Sequence, residues 1–406
     1  MIGSGVFLSA GFMAQDMGPA AIMISWFLGI AHALCGAKAY GALIRLFPDS
    51  GGEYLYLTKM LNPFWGRVAG FATLVLGFSM PVAVNAIAIG AFSKAIWPNI
   101  NASIVAMSVL ICVSGFHLLN TAGSKLSQNF FALIKIVFCL GFVLVFLSAG
   151  DMQWPNWQPP NQDKESSWLL VITSMFYVQF AFSGWNTMVY NASSFDKPRV
   201  TVPKAMLFSV CTVGVYYLVV NWIFVSELTP TESMTDFTST TLAHVLIAKL
   251  LGAKAALVSS LFIITILFSS MSAMIMVAPH VTASMADDGA LSKAFRVKGN
   301  NPSIWSKTLQ FCLSSAIVFM ASLRDSLEAV GAMLLLFTTA VSLALVLRPM
   351  FRKHLSTTSK VAALSYGSAG ILFLAIGIGK NPQIFLWLII PVLLSIAVSI
   401  QQKLQG

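Results

Sequence analysis

Apolar stretches of about 20 residues recur along this chain from end to end, each long enough to cross the ~30 Å hydrocarbon core of a bilayer. That repetition leaves few folds open. Hydrocarbon offers backbone N–H and C=O groups no partner, so only helices and closed barrels span it. The runs lack the alternation of polar and apolar residues that barrel strands show, and they therefore predict helices. They read as Met1–Met17, Pro19–Phe47, Phe64–Ile96, Ile104–Leu119, Leu126–Ala149, Trp168–Tyr190, Pro203–Val225, Ala255–Ser284, Trp305–Leu323, Leu327–Leu347, Val361–Ile378 and Ile384–Ile400. Charged residues are 9% of the 406, against about 25% in a soluble domain. The expectation is an all-α integral membrane protein of about 12 transmembrane helices, forming one domain over residues 1–406.

The net charge of +10 is topological and does not point to nucleic acid. With an even number of spans both termini share one side. Arg45, Lys59, Arg67, Lys197, Arg199, Lys204 and most of the other basic residues fall there, while the opposite side holds Lys94, Lys164, Lys249, Lys254, Arg324 and Lys380. Positive charge concentrates on cytoplasmic loops, so the termini are expected to be cytoplasmic, in the plasma membrane. No basic region precedes the first apolar stretch, so no cleavable signal peptide is expected. Cys35, Cys112, Cys139, Cys211 and Cys312 all lie in apolar spans and read as small buried hydrophobes. Leu242–Leu251, between the seventh and eighth spans, reads as a short amphipathic helix across the outer mouth.

Two spans are interrupted by small residues, Gly3-Ser4-Gly5 in the first and Ser183-Gly184, within Phe180–Asn186, in the sixth. Glycines cost helix stability. Inside a bilayer, unwound backbone is tolerated only where it lines a protein cavity, and its freed groups become ligands. Breaks opening the first and sixth spans fit a five-plus-five inverted repeat: residues 1–149, then 168–348, with two additional helices over 361–403. N–H groups at the start of a half-helix suit a carboxylate, and the carbonyls ending the half-helix before a break suit an ammonium group. A zwitterionic α-amino acid needs both. The competing reading is that these glycines only let two helices pack closely.

Several motifs together resemble the amino acid–polyamine–organocation superfamily, and within it the L-type amino acid transporter branch. They are Gly3-Ser4-Gly5-Val6-Phe7; Pro48-Asp49-Ser50-Gly51-Gly52-Glu53-Tyr54-Leu55-Tyr56-Leu57; Asn120-Thr121-Ala122-Gly123-Ser124-Lys125 with Gln128 and Lys135; and Phe180–Asn186. Lys197-Pro198-Arg199 with Pro203-Lys204-Ala205, Asn221 within Tyr216–Phe224, and Pro279-His280-Val281 followed by Met285–Leu291 complete the set, in the family's order. The resemblance implies a leucine-transporter-like fold with discontinuous helices 1 and 6. It places a substrate carboxylate on the backbone of Gly3, Ser4 and Gly5 and on the Ser4 hydroxyl, with the ammonium on carbonyls of Ile2, Phe180, Ala181 and Ser183. Phe180 matches an aromatic gate, with Trp185 as the second gate residue. Trp185 and Asn186 border the break at Gly184, and Asn186 either bonds substrate or satisfies freed backbone.

Lys135 lies mid-span, more than a helical turn from either end, where snorkelling is difficult. In sodium-independent relatives a fifth-helix lysine takes the place of a sodium ion. Here it would face Ser269, Ser270 or Ser272 and carbonyls near Gly3, and it could also couple protons. A purely structural lysine is the other reading. The chain also departs from the family pattern. Ala42 stands where relatives carry Glu, Ser193-Ser194 replace an acidic pair, His280 replaces Arg, and Asp287 replaces a basic residue, which puts the strength of the cytoplasmic gate in question. The half-helix before the first break is absent from Met1-Ile2 onward, through either a misassigned start or a missing part of the inner gate. No cysteine lies in Lys94–Ala102, so no disulfide-linked heavy chain is expected.

The functional expectation is a sodium-independent carrier of amino acids, without cofactor or metal, working by alternating access. Acidic groups stand only at span ends (Asp16, Glu328) and none in a span's interior, which favours neutral substrates. A cationic amino acid or polyamine carrier, and a non-transporting paralogue or sensor, are the alternatives. An enzyme is not expected, because His32, His117 and His280 are scattered without acidic partners.

Overall fold

The computed structural model describes residues 2–119, 124–150, 153–159, 167–228, 240–297 and 303–405, and every regular element among them is helical. Eight of these helices are long and apolar enough to cross a membrane, and shorter apolar helices accompany them at Ala102–Leu118, Trp168–Ala181, Leu242–Leu251 and Ile304–Met320. Each expected span coincides with helical residues, and the short helix Leu242–Leu251 lies where the sequence places it. The motif Asn120–Lys125 with Gln128 falls on residues whose backbone or side chains lie outside the description.

Local chemistry sets the ends. Pro19, Pro63 and Pro198 open helices, where a missing N–H costs nothing and a fixed φ is already helical. Asn62, Ser303, Ser322 and Ser356 cap others by accepting from Trp65, Trp305, Asp325 and Ser359 N–H groups. The first helix has no such cap. It runs Ser4–Asp16 behind Gly3, whose backbone is non-helical and which has no side chain to close the end.

The lipid boundary is visible on Ser124–Ala149. Phe130, Leu133, Val137, Leu140, Leu144 and Leu147 are exposed at helical spacing, while Phe138, Phe142 and Phe146 on the other face are buried. Phe142 reaches Phe7 at 6.2 Å and Phe224 at 5.9 Å between ring centroids. Such an apolar stripe is unstable in water and stable against acyl chains. Three cysteines depart from the expectation of burial: Cys112, Cys211 and Cys312 are exposed, Cys35 is half-buried and Cys139 buried. A thiol facing lipid costs little, so apolar span sequence does not distinguish the two faces.

The third membrane helix, Pro63–Ile96, is continuous but irregular. Its middle, Thr73–Ser79, is a π-helical turn, and Ser79 Oγ donates to the Leu74 carbonyl five residues back at 2.8 Å. Pro81 supplies no N–H to continue regular pairing back to Gly77, and the π segment absorbs the mismatch. This places Gly77 and Phe78 beside a cavity at the middle of the bundle.

Candidate functional site

The first and sixth helices meet side by side. Ser4–Asp16 packs against Met175–Ala181, and Ser9 Oγ donates to the Tyr177 carbonyl at 3.2 Å. The approach depends on Gly5, because a Cβ there would overlap the Ala181 backbone. The sixth helix stops at Ala181 and resumes at Thr187. Between them the chain turns through Gly184, at φ +93°, a conformation that residues with a Cβ rarely adopt. Tight turns hold the gap: Ser183 N–H donates to Phe180 O at 2.9 Å, and Thr187 N–H to Gly184 O at 3.2 Å.

The start of the first helix and the interruption of the sixth open on one cavity of about 190 Å³. A single water needs roughly 10–15 Å³ on this measure, so the space suits a small organic molecule. Ile2, Gly3, Ser4, Gly5, Phe180, Ala181, Ser183, Gly184 and Asn186 all line it, as do Lys135 and Ser270. The N–H groups of a helix's first turn have no intrahelical acceptor, and here that uncapped turn borders the cavity. The carbonyl ends of Met175–Ala181 border it from the other side.

Five details differ from expectation. Ser4 and Gly5, expected as unwound backbone, form the first turn of the helix behind a non-helical Gly3. The Ala181 carbonyl already accepts from Tyr217 Oη at 2.9 Å. Trp185 is not a lining residue: its indole packs edge-on to Tyr40 at 4.9 Å and near Tyr366 at 6.2 Å. Ser269 is buried away from the lining, and Ser272 lies 2.7 Å from His117 Nε2. Lys135 makes no hydrogen bond or ion pair among the described residues, so no side chain there ties it to the eighth helix.

The sequence missed the contacts closing each end. On one side Glu53, 1% exposed, accepts from Tyr40 Oη and Asn186 Nδ2, each at 2.7 Å from Oε1, and from the Tyr190 hydroxyl on Oε2. Asn186 is thus engaged by a side chain, a third role beyond the two weighed. Ser50 and Ser193 hydroxyls lie 2.6 Å apart, and Tyr54 Oη donates to Asp288 at 2.8 Å. The Tyr54 phenol is pushed well above its ordinary pKa, first by burial and then by its bond to Asp288. At the opposite end Arg324 pairs with Asp16, lies 3.8 Å from Glu328, and donates to Tyr177 Oη at 3.0 Å and Gln15 at 3.2 Å. The cavity lies between these two sets of contacts. The motif Gly51-Gly52-Glu53 signalled the first set, but which residues Glu53 would meet was not readable.

The known proteins this chain is similar to are amino acid permeases and transporters. The family model described as amino acid permease matches residues 1–400. The chain is 26% identical to the rabbit (Oryctolagus cuniculus) b(0,+)-type amino acid transporter 1 over 57% of this chain and 49% of that protein. It is 22% identical to the mouse (Mus musculus) Asc-type amino acid transporter 1, over 58% and 47% respectively. It is 20% identical to the serine/threonine exchanger SteT of Bacillus subtilis, over 79% and 73%. The chain thus spans about half the length of the two mammalian relatives.

Proposed function

Because the chain belongs to the amino acid permease family, we propose that it is a sodium-independent secondary transporter of neutral amino acids. It works by alternating access, as an exchanger or a proton symporter. The observation that carries this reading is the single cavity bordered by the uncapped start of Ser4–Asp16 and by the broken end of Met175–Ala181. The substrate carboxylate sits on the backbone of Gly3, Ser4 and Gly5, and its ammonium on the carbonyls of Ile2, Phe180 and Ser183. Phe180 closes over it, and Lys135 with Ser270 couples its loading to movement of the eighth helix.

Neutral substrates are favoured over cationic ones by two features of the lining. Lys135 brings positive charge to the cavity wall, and the nearby Glu53 carboxylate is saturated by three donors. The name of one relative points the same way: it is a serine/threonine exchanger. Residues 1–149 and 168–348 form the two inverted repeats, with 361–403 as added helices. The termini face the cytoplasm from the plasma membrane, and no disulfide-linked heavy chain takes part.

Uptake and counterflow of labelled amino acids in proteoliposomes, across sodium and pH gradients, test this. Sodium-independent accumulation of neutral amino acids is expected. Absence of flux for every amino acid, with folded protein in the vesicles, overturns it.

A further inference from the structure

The third membrane helix contributes a polar residue to the cavity that the mechanism above leaves without a task. Asn85 is 1% exposed within an apolar span, and it lines the same cavity as Gly3 and Phe180. Its Nδ2 donates to the Pro81 carbonyl at 2.8 Å, one helical turn back. Its Oδ1 has no partner among the described residues. Flipping the amide would set oxygen against the Pro81 oxygen, so the free group is the acceptor. Asn221 makes the same bond to Tyr217, also with an unpartnered Oδ1, but it does not line the cavity. Asn85 is thus a buried acceptor beside a space large enough for a ligand.

A buried unsatisfied acceptor is costly, and the cost is relieved when a donor arrives. Lys135, also on the cavity wall, makes no bond to Asn85. A substrate held by its carboxylate and ammonium at the two helix breaks directs its side chain to the remaining wall, where Asn85 stands. We propose that Asn85 is a specificity-determining residue whose free amide oxygen accepts a hydrogen bond from the substrate's side chain. The transporter therefore prefers neutral amino acids with hydroxyl or carboxamide side chains over aliphatic ones of equal size. This rests on the amino acid site proposed above.

Threonine and valine separate the two claims, since they differ by a hydroxyl in place of a methyl. Binding of each is measured by competition against a labelled amino acid that the purified protein binds. Wild type is expected to favour threonine about tenfold, equivalent to 1.4 kcal/mol. Asn85→Leu is expected to bring the ratio to about one or reverse it, while Asn221→Leu leaves it unchanged. Equal affinities in wild type overturn the inference while leaving the amino acid site standing. Failure of every amino acid to bind overturns both. If Asn85→Leu does not fold, Asn85→Ala is read instead, and a threonine preference that survives it overturns the role of Asn85.

Discussion

Asn186 Nδ2 lies 2.7 Å from Glu53 Oε1, joining the broken sixth helix to the short helix Gly52–Met60 across 133 residues of sequence. The same carboxylate holds Tyr40 of the second helix and Tyr190 of the resumed sixth helix. One buried acidic group therefore ties three helices together, and the alternating access proposed above requires this cluster to loosen when that side opens.

Removing that carboxylate leaves three buried donors without an acceptor. Glu53→Ala is expected to destabilise the protein by about 3 kcal/mol, the range for orphaned buried polar groups. Glu53→Gln retains one acceptor oxygen and is expected to lose less. Thermal unfolding in detergent checks both, and an unchanged melting temperature for Glu53→Ala contradicts the structural role of the cluster.

Gly5 sets the approach of the first helix to the sixth. Gly5→Val forces a side chain into the Ala181 backbone, with a strain of about 1–3 kcal/mol. Amino acid binding is expected to weaken about tenfold or more. Gly115→Ala is the control, because a Cβ there meets nothing within 4 Å, and its affinity is expected to match wild type.

Among the described residues Lys135 has no bonded partner to lose. Lys135→Met is expected to leave stability within about 1 kcal/mol of wild type or to raise it, since an unpaired buried charge is costly. Transport is expected to fall at least tenfold. Rates equal to wild type in proteoliposomes remove Lys135 from the mechanism.

His244 sits on Leu242–Leu251, outside the spans, 2.7 Å from Ser260 Oγ. Burial holds its pKa below the ordinary 6.5, partly offset by a backbone bond at Ala256. The undocked helix takes up a proton at the ordinary value, and the docked one resists it. Docking is therefore fully favourable above about pH 6.5 and weakens as the medium acidifies below it. Hydrogen exchange of this helix is expected to speed up from pH 7.5 to 5 beyond the intrinsic pH trend, and His244→Gln is expected to abolish the excess.

Much of this architecture is legible in sequence because hydrocarbon enforces it. Twenty apolar residues must form a helix, and Ser183-Gly184 within such a run marks a place where the helix gives way. Gly3–Gly5 was expected to be unwound, but Ser4 and Gly5 are helical, since glycine and serine are as compatible with a first helical turn as with unwound backbone. Side-chain partners were not legible. Glu53 and Asn186, or Arg324 and Asp16, are brought together by packing between distant helices, and no local period encodes it. Asn85 was visible as a polar residue in an apolar span. Its meaning depends on the π turn Thr73–Ser79 and on which face that turn presents. Trp185 shows the converse: motif position suggested a gate, and the rotation of one short turn places it among Tyr40 and Tyr366 instead.

The central claim is that backbone groups at two helix breaks hold both charges of an amino acid. Equilibrium binding to the purified protein tests it most directly, comparing L-threonine with its methyl ester and its N-acetyl derivative. The account predicts that the zwitterion binds and that masking either charge weakens binding by at least a hundredfold. Derivatives that bind as tightly as the parent would contradict it.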